Sequence, residues 1–377
     1  MKIIHVISGL STGGAERALY NLLQGGIGEH FDCLVISLVD EGTIGEQIKA
    51  LGIHVSALGM CNGRPTLSGL IKLRKLINEF QPDVIQGWMY HGNLAASLAR
   101  ALAVGRPALL WNVRHSLYDL RYEKTITQMM IRLNSFFSTG PDVLLYNSQL
   151  SKKQHEAFGF FSKHGHVIPN GINVKKFSFS SKSRKKIRTE LKIPENALVV
   201  GHVARLHPMK DHSLFLRAAI EIINQGLNVH YILSGRGVSI ENTDLVQYIP
   251  SKLRNRFHLL GERTDVPELM SAMDIFCQSS WSEAFPNVIG EAMATGLPCV
   301  ATDVGDTKII IGDTGLTVSA RNEKELISGL VGFLKLSQHD RLTFGKNARA
   351  RIENNFILSA IVEKYSSLYE QLIIEKR

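Results

Sequence analysis

Short apolar runs recur along this chain, each followed by a stretch whose apolar residues fall three and four apart, and the alternation restarts near the middle. Runs of that length fit buried strands, and the stretches between them fit amphipathic helices. Repeated strand–helix–strand units build a parallel sheet with helices on both faces. In the first half the predicted strands are Ile3–Ile7, Cys33–Leu38, His54–Leu58, Val84–Gln86, Leu109–Val113 and Val143–Tyr146. Helices are predicted at Ala15–Leu23, Leu67–Phe80 and Leu94–Leu102, and Val167-Ile168 closes this half before the turn Pro169-Asn170-Gly171. The second half predicts strands at Leu198–Val203, His230–Ser234, Phe257–Leu260, Ile275–Gln278 and Cys299–Ala301. Its helices are Ser213–Ile223, Val266–Met273, Asn287–Ala294 and Glu323–Leu334. A chain of 377 residues is too long for one core. The expected architecture is α/β: two Rossmann-like domains facing across a cleft, residues 1–170 and 171–356, with a last helix over 357–377.

Composition narrows the function classes. With 44% hydrophobic and 20% charged residues the chain reads as globular, and no apolar run reaches the ~18 residues of a membrane span. The start, Met1 to Ile7, runs straight into Gly13-Gly14-Ala15-Glu16-Arg17, so it reads as a first strand rather than a signal peptide. Cys33, Cys61, Cys277 and Cys299 form no CxxC pair and read as reduced, buried thiols of a cytoplasmic protein. The formal charge of +9 is concentrated between Lys175 and Lys192, where eight cations face only Glu190. This run reads as an interdomain linker, with an anionic membrane surface as a candidate partner. Nucleic acid is disfavoured because only Phe177 and Phe179 supply aromatic rings there. A second stretch, Arg121 to Phe137, combines Arg121, Lys124 and Arg132 with Met129, Met130, Ile131, Phe136 and Phe137. It suits either an interfacial helix or one packed in the first domain.

Ligands of doubly wound sheets bind beyond the carboxyl ends of strands, so the loops there hold the candidate chemistry. Gly13 and Gly14 close a glycine loop after the first strand, where the backbone can come near a phosphate or sugar. Arg205 and Lys210 flank a proline-stiffened turn after the first strand of the second half. Such a pair matches a diphosphate, one cation a planar fork and the other a point charge. Glu283 precedes the helix that Pro286 opens, and Glu291 lies in its second turn. Pro286 at the first helical position would leave the amides of Asn287 and Val288 for an anion, while the two carboxylates can accept bonds from sugar hydroxyls. His115 and His91 follow first-half strands. No DxD occurs, and no His/Cys cluster has metal-ligand spacing, so no metal or other cofactor is expected. The GxGxxG of a nicotinamide enzyme is missing, and Gly235-Arg236-Gly237 reads as a plain turn.

With these motifs the chain resembles the bacterial retaining glycosyltransferases of family 4, which have the GT-B fold. The resemblance rests on Gly13-Gly14-Ala15-Glu16-Arg17, Pro82-Asp83-Val84-Ile85, Val167 to Ile172, Arg205 with Lys210, and the EX7E motif of Glu283 and Glu291. It implies that Glu283 contacts the transferred sugar and Glu291 the ribose of a nucleotide-diphosphate sugar. Amides of Phe285, Asn287 and Val288 would hold sugar and phosphate, and Arg205 and Lys210 the diphosphate. His115 would lie near the anomeric centre, with His91 beside it. The first domain would take the acceptor, a saccharide or lipid-linked saccharide of cell-surface polysaccharide synthesis, and the last helix would cross back to it. Attachment would be peripheral, on the inner face of the cell membrane. Ala284 replaces a frequent glycine, and Arg236 stands where relatives often carry an acid, which leaves the donor base and sugar open. The competing readings are a nucleotide-sugar epimerase or sugar-phosphate synthase on the same fold, or a ligand-binding protein without chemistry.

Overall fold

The computed structural model describes residues 1–11, 13–60 and 66–376. The chain divides into two units, Met1–Gly171 with the C-terminal segment from Leu358, and Ile172–Ile357. The first unit holds seven strands: β1 (Lys2–Ile7), β2 (Asp32–Ser37), β3 (His54–Ala57), β4 (Val84–Trp88), β5 (Ala108–Val113), β6 (Val143–Tyr146) and β7 (Gly165–Val167). They pair in parallel in the order β3-β2-β1-β4-β5-β6-β7. The second unit has β8 (Leu198–Val203), β9 (Val229–Ser234), β10 (Phe257–Leu259), β11 (Ile275–Gln278), β12 (Cys299–Thr302) and β13 (Leu316–Val318). Their order is β10-β9-β8-β11-β12-β13, again parallel throughout. Both sheets are Rossmann-like. In each, the chain reverses direction across the sheet beside the first strand, at β1/β4 and at β8/β11, and that is where such sheets take ligands.

Each sheet is buried on both faces, which explains why its strands read as continuous apolar runs. In the first unit, Ile3, Val35, Leu110 and Leu145 point into one core and Ile4, Leu34, Ile85 and Leu144 into the other. The C-terminal helix Leu358–Lys376 completes the first core with Leu358, Ile361, Val362, Tyr365, Tyr369, Leu372 and Ile373. Polar bonds fix its register: Tyr369 donates to Gln86 Oε1, and the Tyr365 hydroxyl accepts from Asn112 Nδ2 (3.2 Å) and Arg114 Nη1 (3.2 Å). Arg114 also donates to Asn170, just before the chain leaves this unit. Cys33, Cys277 and Cys299 are buried, unpaired thiols, whereas Cys61 lies outside the described residues.

The basic run departs from the linker reading. Ser181–Glu190 forms a helix of the second unit, capped by the Ser180 hydroxyl. Two of its cations are structural. Arg184 and Arg188 both grip the Asp274 carboxylate (2.7 and 2.6 Å), and Arg188 Nε reaches the Ala272 carbonyl. Asp274 also accepts the Val199 amide at the start of β8 (2.8 Å), so the clamp ties this helix to the sheet. The remaining lysines, Lys175, Lys176, Lys182, Lys185, Lys186 and Lys192, are exposed.

Buried histidines make stability depend on pH. Burial pulls His5 and His155 down to about 3, and His212 down to about 4, from an ordinary 6.5. These rings are neutral when folded, while the unfolded chain takes up their protons below pH 6.5. Stability is therefore full above that pH and falls as the pH drops toward 3–4, by about 1.4 kcal/mol per ring and pH unit. Melting followed by circular dichroism should show a steep loss of midpoint between pH 6.5 and 4.5. A flat profile would mean that these rings are already charged in the fold.

Candidate functional site

In the second unit the loop after β8 and the loop after β11 are sewn together by polar bonds. Ser279 Oγ donates to the carbonyls of Lys210 (2.9 Å) and Asp211 (3.0 Å). The Trp281 amide and indole donate to Met209 (2.9 Å) and Pro208 (2.8 Å), and the Arg321 guanidinium covers the indole at 4.5 Å. Lys210 closes a short 3-10 turn that the His207 ring caps. The seam brings Lys210 Nζ onto Glu283 Oε1 as an ion pair. Gln278 Nε2 (3.0 Å) and Ser280 Oγ (2.8 Å) donate to the same oxygen. Three donors therefore fix one carboxylate oxygen of Glu283. Its other oxygen, Oε2, makes no hydrogen bond among the described residues. A carboxylate held in this way is oriented but keeps acceptor capacity.

Backbone geometry supports the same loop from below. Gly305 is left-handed (φ 59°), and a Cβ there would collide with the Ala284 carbonyl oxygen and lie 2.6 Å from that of Glu283. The Asp306 amide bonds to Ala284 (3.0 Å), and Thr302 donates to the Ser280 carbonyl. The helix Asn287–Ala294 then begins, with Pro286 just outside it rather than at its first position. No side chain caps this end, and the first amides of a helix have no acceptor within the helix itself. Phe285 is buried against Phe356, and Glu291 lies half-buried in the second turn.

Arg205 is not drawn into this cluster. Its side chain is exposed and bonds to no described residue. Its backbone is placed by Gly235, where φ is 152° and a Cβ would lie 2.8 Å from the Arg205 nitrogen. The Arg236 carbonyl accepts the Leu206 amide (2.8 Å). The Gly235-Arg236-Gly237 turn is therefore a buttress for the Arg205 loop. Beneath that loop His202 is buried, bonded through Nδ1 to Cys277 (3.0 Å) and stacked on Phe215.

In the first unit the candidates sit at the ends of β1, β4 and β5. Gly13 is extended before the helix Gly14–Leu22, and a Cβ there would lie 2.9 Å from the Glu16 carboxyl carbon. The Glu16 carboxyl therefore folds over its own helix end, and burial raises its pKa. His91 is in the first turn of a helix, Met89–Leu102, that starts directly after β4 through the left-handed Met89 (φ 63°). Burial lowers the His91 pKa. His115 follows β5, with Nε2 2.9 Å from Glu123 Oε1.

Residues 12–176 match the model of a family described as Glycosyltransferase Family 4, and residues 197–335 match that of Glycosyl transferases group 1. The chain is a glycosyltransferase, and its first half is similar to family 4. It is 26% identical over 317 residues to the UDP-Gal:alpha-D-GlcNAc-diphosphoundecaprenol alpha-1,3-galactosyltransferase of Escherichia coli, covering 82% of this chain and 81% of that one. The capsular polysaccharide biosynthesis glycosyltransferase CapM of Staphylococcus aureus is 24% identical over 329 residues, 82% of each chain. The crystal structure of Anabaena HepE in complex with UDP-glucose superposes with a TM-score of 0.84 at 24% identity, covering 98% of this chain and 100% of that one. The two Rossmann-like units are those of the GT-B fold.

Several groups that hold this glycosyltransferase's candidate site carry no motif. Gln278, Ser280 and Trp281 lie close before Glu283 and could have been suspected from proximity. Thr302 and Gly305 come from a different strand end, and only the fold connects them to Glu283. Gly305→Ala should cost about 1–3 kcal/mol through backbone strain and displace the Glu283 loop. Urea unfolding measures the first effect. Unchanged stability would show that the loop yields.

Proposed function

We propose that this glycosyltransferase moves a hexose, with retention of anomeric configuration, from a nucleoside-diphosphate donor to a lipid-linked saccharide. The observation that carries the reading is Glu283, with Oε1 fixed by Lys210, Gln278 and Ser280 while Oε2 keeps acceptor capacity. Oε2 accepts from a hydroxyl of the transferred sugar. Lys210 exchanges its bond to Glu283 for one to the diphosphate, and Arg205, exposed and unpaired, supplies the second cation. The uncapped helix start at Asn287 and Val288 adds amides, and Glu291 takes the ribose. These groups offset the charge that grows on the leaving diphosphate, so donor binding proceeds without a divalent metal. A uridine nucleotide is supported by the donor that names the Escherichia coli relative and by the ligand of HepE.

In the proposed step the bond from the anomeric carbon to the phosphate oxygen breaks. The acceptor hydroxyl attacks on the same face, and its proton passes to the departing phosphate. The acceptor is assigned to the first unit, with His91 as its contact, while Gly13 and Gly14 are read as donor contacts and His115 as lying near the anomeric carbon. A lipid-linked acceptor is supported by the diphosphoundecaprenol substrate in the relative's name.

Thermal shift and calorimetry with UDP, GDP, ADP and TDP in EDTA should single out one nucleotide. Glu283→Gln should slow transfer and leave affinity for that nucleotide nearly unchanged. Arg205→Ala and Lys210→Ala should weaken the affinity and cost ~10²–10³ in turnover. A folded Glu283→Gln protein that transfers at the normal rate would sink the sugar site. Loss of nucleotide binding in EDTA, restored by manganese, would sink the metal-free diphosphate site.

Attachment to an anionic membrane is assigned to the first unit rather than to the basic run, part of whose charge Asp274 absorbs. The helix Thr125–Phe137 exposes Ile126, Met129, Phe136 (77%) and Phe137 (51%), with Tyr122 just before it and Lys124 and Arg132 alongside. Apolar side chains flanked by cations suit the headgroup region. No helix among the described residues is long and apolar enough to cross a membrane. Phosphatidylglycerol vesicles should sediment the protein more at low salt than at high salt, and Phe136→Ser with Phe137→Ser should weaken the effect. No sedimentation at either salt, or an unaffected variant, would remove the idea.

A further inference from the structure

His115 is held from several directions. Its carbonyl accepts Ser151 Oγ (2.5 Å). The next two residues are pinned to Gln154, which accepts both the Ser116 hydroxyl and the Leu117 amide at 2.9 Å. The ring packs edge-on against Tyr90, 6.2 Å between centroids, and the Tyr90 hydroxyl bonds to the buried His155 (2.8 Å). With the backbone and one ring edge fixed, the remaining variables are ring rotation and the site of the proton. Glu123 supplies both. Its Oε1 lies 2.9 Å from His115 Nε2, and the two side chains are largely buried, with 17% and 28% exposure.

Glu123 is itself placed without help from His115. It follows the single helical turn Leu120–Tyr122, which Asp119 caps by accepting the Arg121 amide (2.9 Å). Gln128 Nε2 then donates to the Glu123 carbonyl (3.0 Å). A carboxylate and an imidazole whose main chains are anchored separately thus meet at hydrogen-bond distance, and a carboxylate so placed selects the ring nitrogen that carries hydrogen.

We infer that Glu123 is a positioning residue for His115. It keeps hydrogen on Nε2 and so makes Nδ1 the ring's acceptor for a sugar hydroxyl of the substrate. The inference rests on the transferase reading above, because it takes His115 as a substrate contact. No proton leaves the pair during transfer. Its role is to fix which edge of the imidazole the sugar meets.

The test is a double-mutant cycle joined to imidazole nitrogen NMR. In protein labelled at histidine nitrogens, the His115 signal, assigned by its loss in His115→Ala, should show hydrogen on Nε2. In Glu123→Ala it should shift to a mixture of tautomers. Turnover of Glu123→Ala should fall roughly ten- to a hundredfold with little change in donor KM, and Glu123→Asp should recover part of the loss. In a His115→Ala background, Glu123→Ala should cost nothing further, because coupled groups are not additive. An unchanged His115 signal, normal turnover, or a loss that adds to that of His115→Ala would overturn the inference. Failure of the transferase reading itself is distinct, since the nucleotide titrations of Arg205→Ala and Lys210→Ala would then match the parent chain.

Discussion

Where two parallel strands lie side by side and the connections that follow them leave in opposite directions, a crevice opens beyond their carboxyl ends. That constraint organises both units of this protein. At β8 and β11 the open end is lined by two loops that would be independent if left to their own contacts. The hydroxyl of Ser279 and the indole of Trp281 fasten them, and Lys210 meets Glu283 because of that fastening. In the first unit that opening lies at β1/β4; His91 sits in the first turn of the helix after β4, and His115 follows the neighbouring β5 with its carbonyl held by Ser151. The candidate site depends on the sheet topology first and on side-chain identity second.

The parallel sheets were legible because a strand buried on both faces has no polar alternation to disguise it. Leu198–Val203, Ile275–Gln278 and Val143–Tyr146 are found where their apolar runs place them. Bounds shift where local signals are weak. The helix expected from Leu94 begins at Met89, since β4 passes into it through one left-handed residue that is a methionine rather than the glycine such a conformation usually takes. The helix Ser181–Glu190 was hidden for another reason. Its inward face carries Arg184 and Arg188 as well as Ile187, so an anchoring surface resembles a solvated charge run.

The candidate site residues divide along similar lines. Glu283, Lys210 and Arg205 announce themselves by charge at strand ends. Glu123 does not, because eight residues separate it from His115 and the short turn Leu120–Tyr122 decides whether the two meet. Gly305 and Gly235 act through atoms they lack. Each lets a neighbouring carbonyl or amide come closer than a side chain would allow, and a sequence gives no sign of the neighbour.

The helix Leu358–Lys376 gives the protein an order of assembly. The first unit is encoded almost entirely by the first 171 residues, yet Tyr365, Tyr369 and five apolar side chains that close one face of its sheet come from the far end of the chain. During synthesis the intervening unit is made in full before that face can be covered. Until then Gln86 and Asn112 lack their tyrosine partners, and Ile3, Val35 and Leu110 border an unfinished core. A nascent chain stopped anywhere short of residue 358 would present that surface to its surroundings, as a chaperone substrate or an aggregation seed. That helix thus serves as a completion signal, and the unit begun first is finished only after the second has been made.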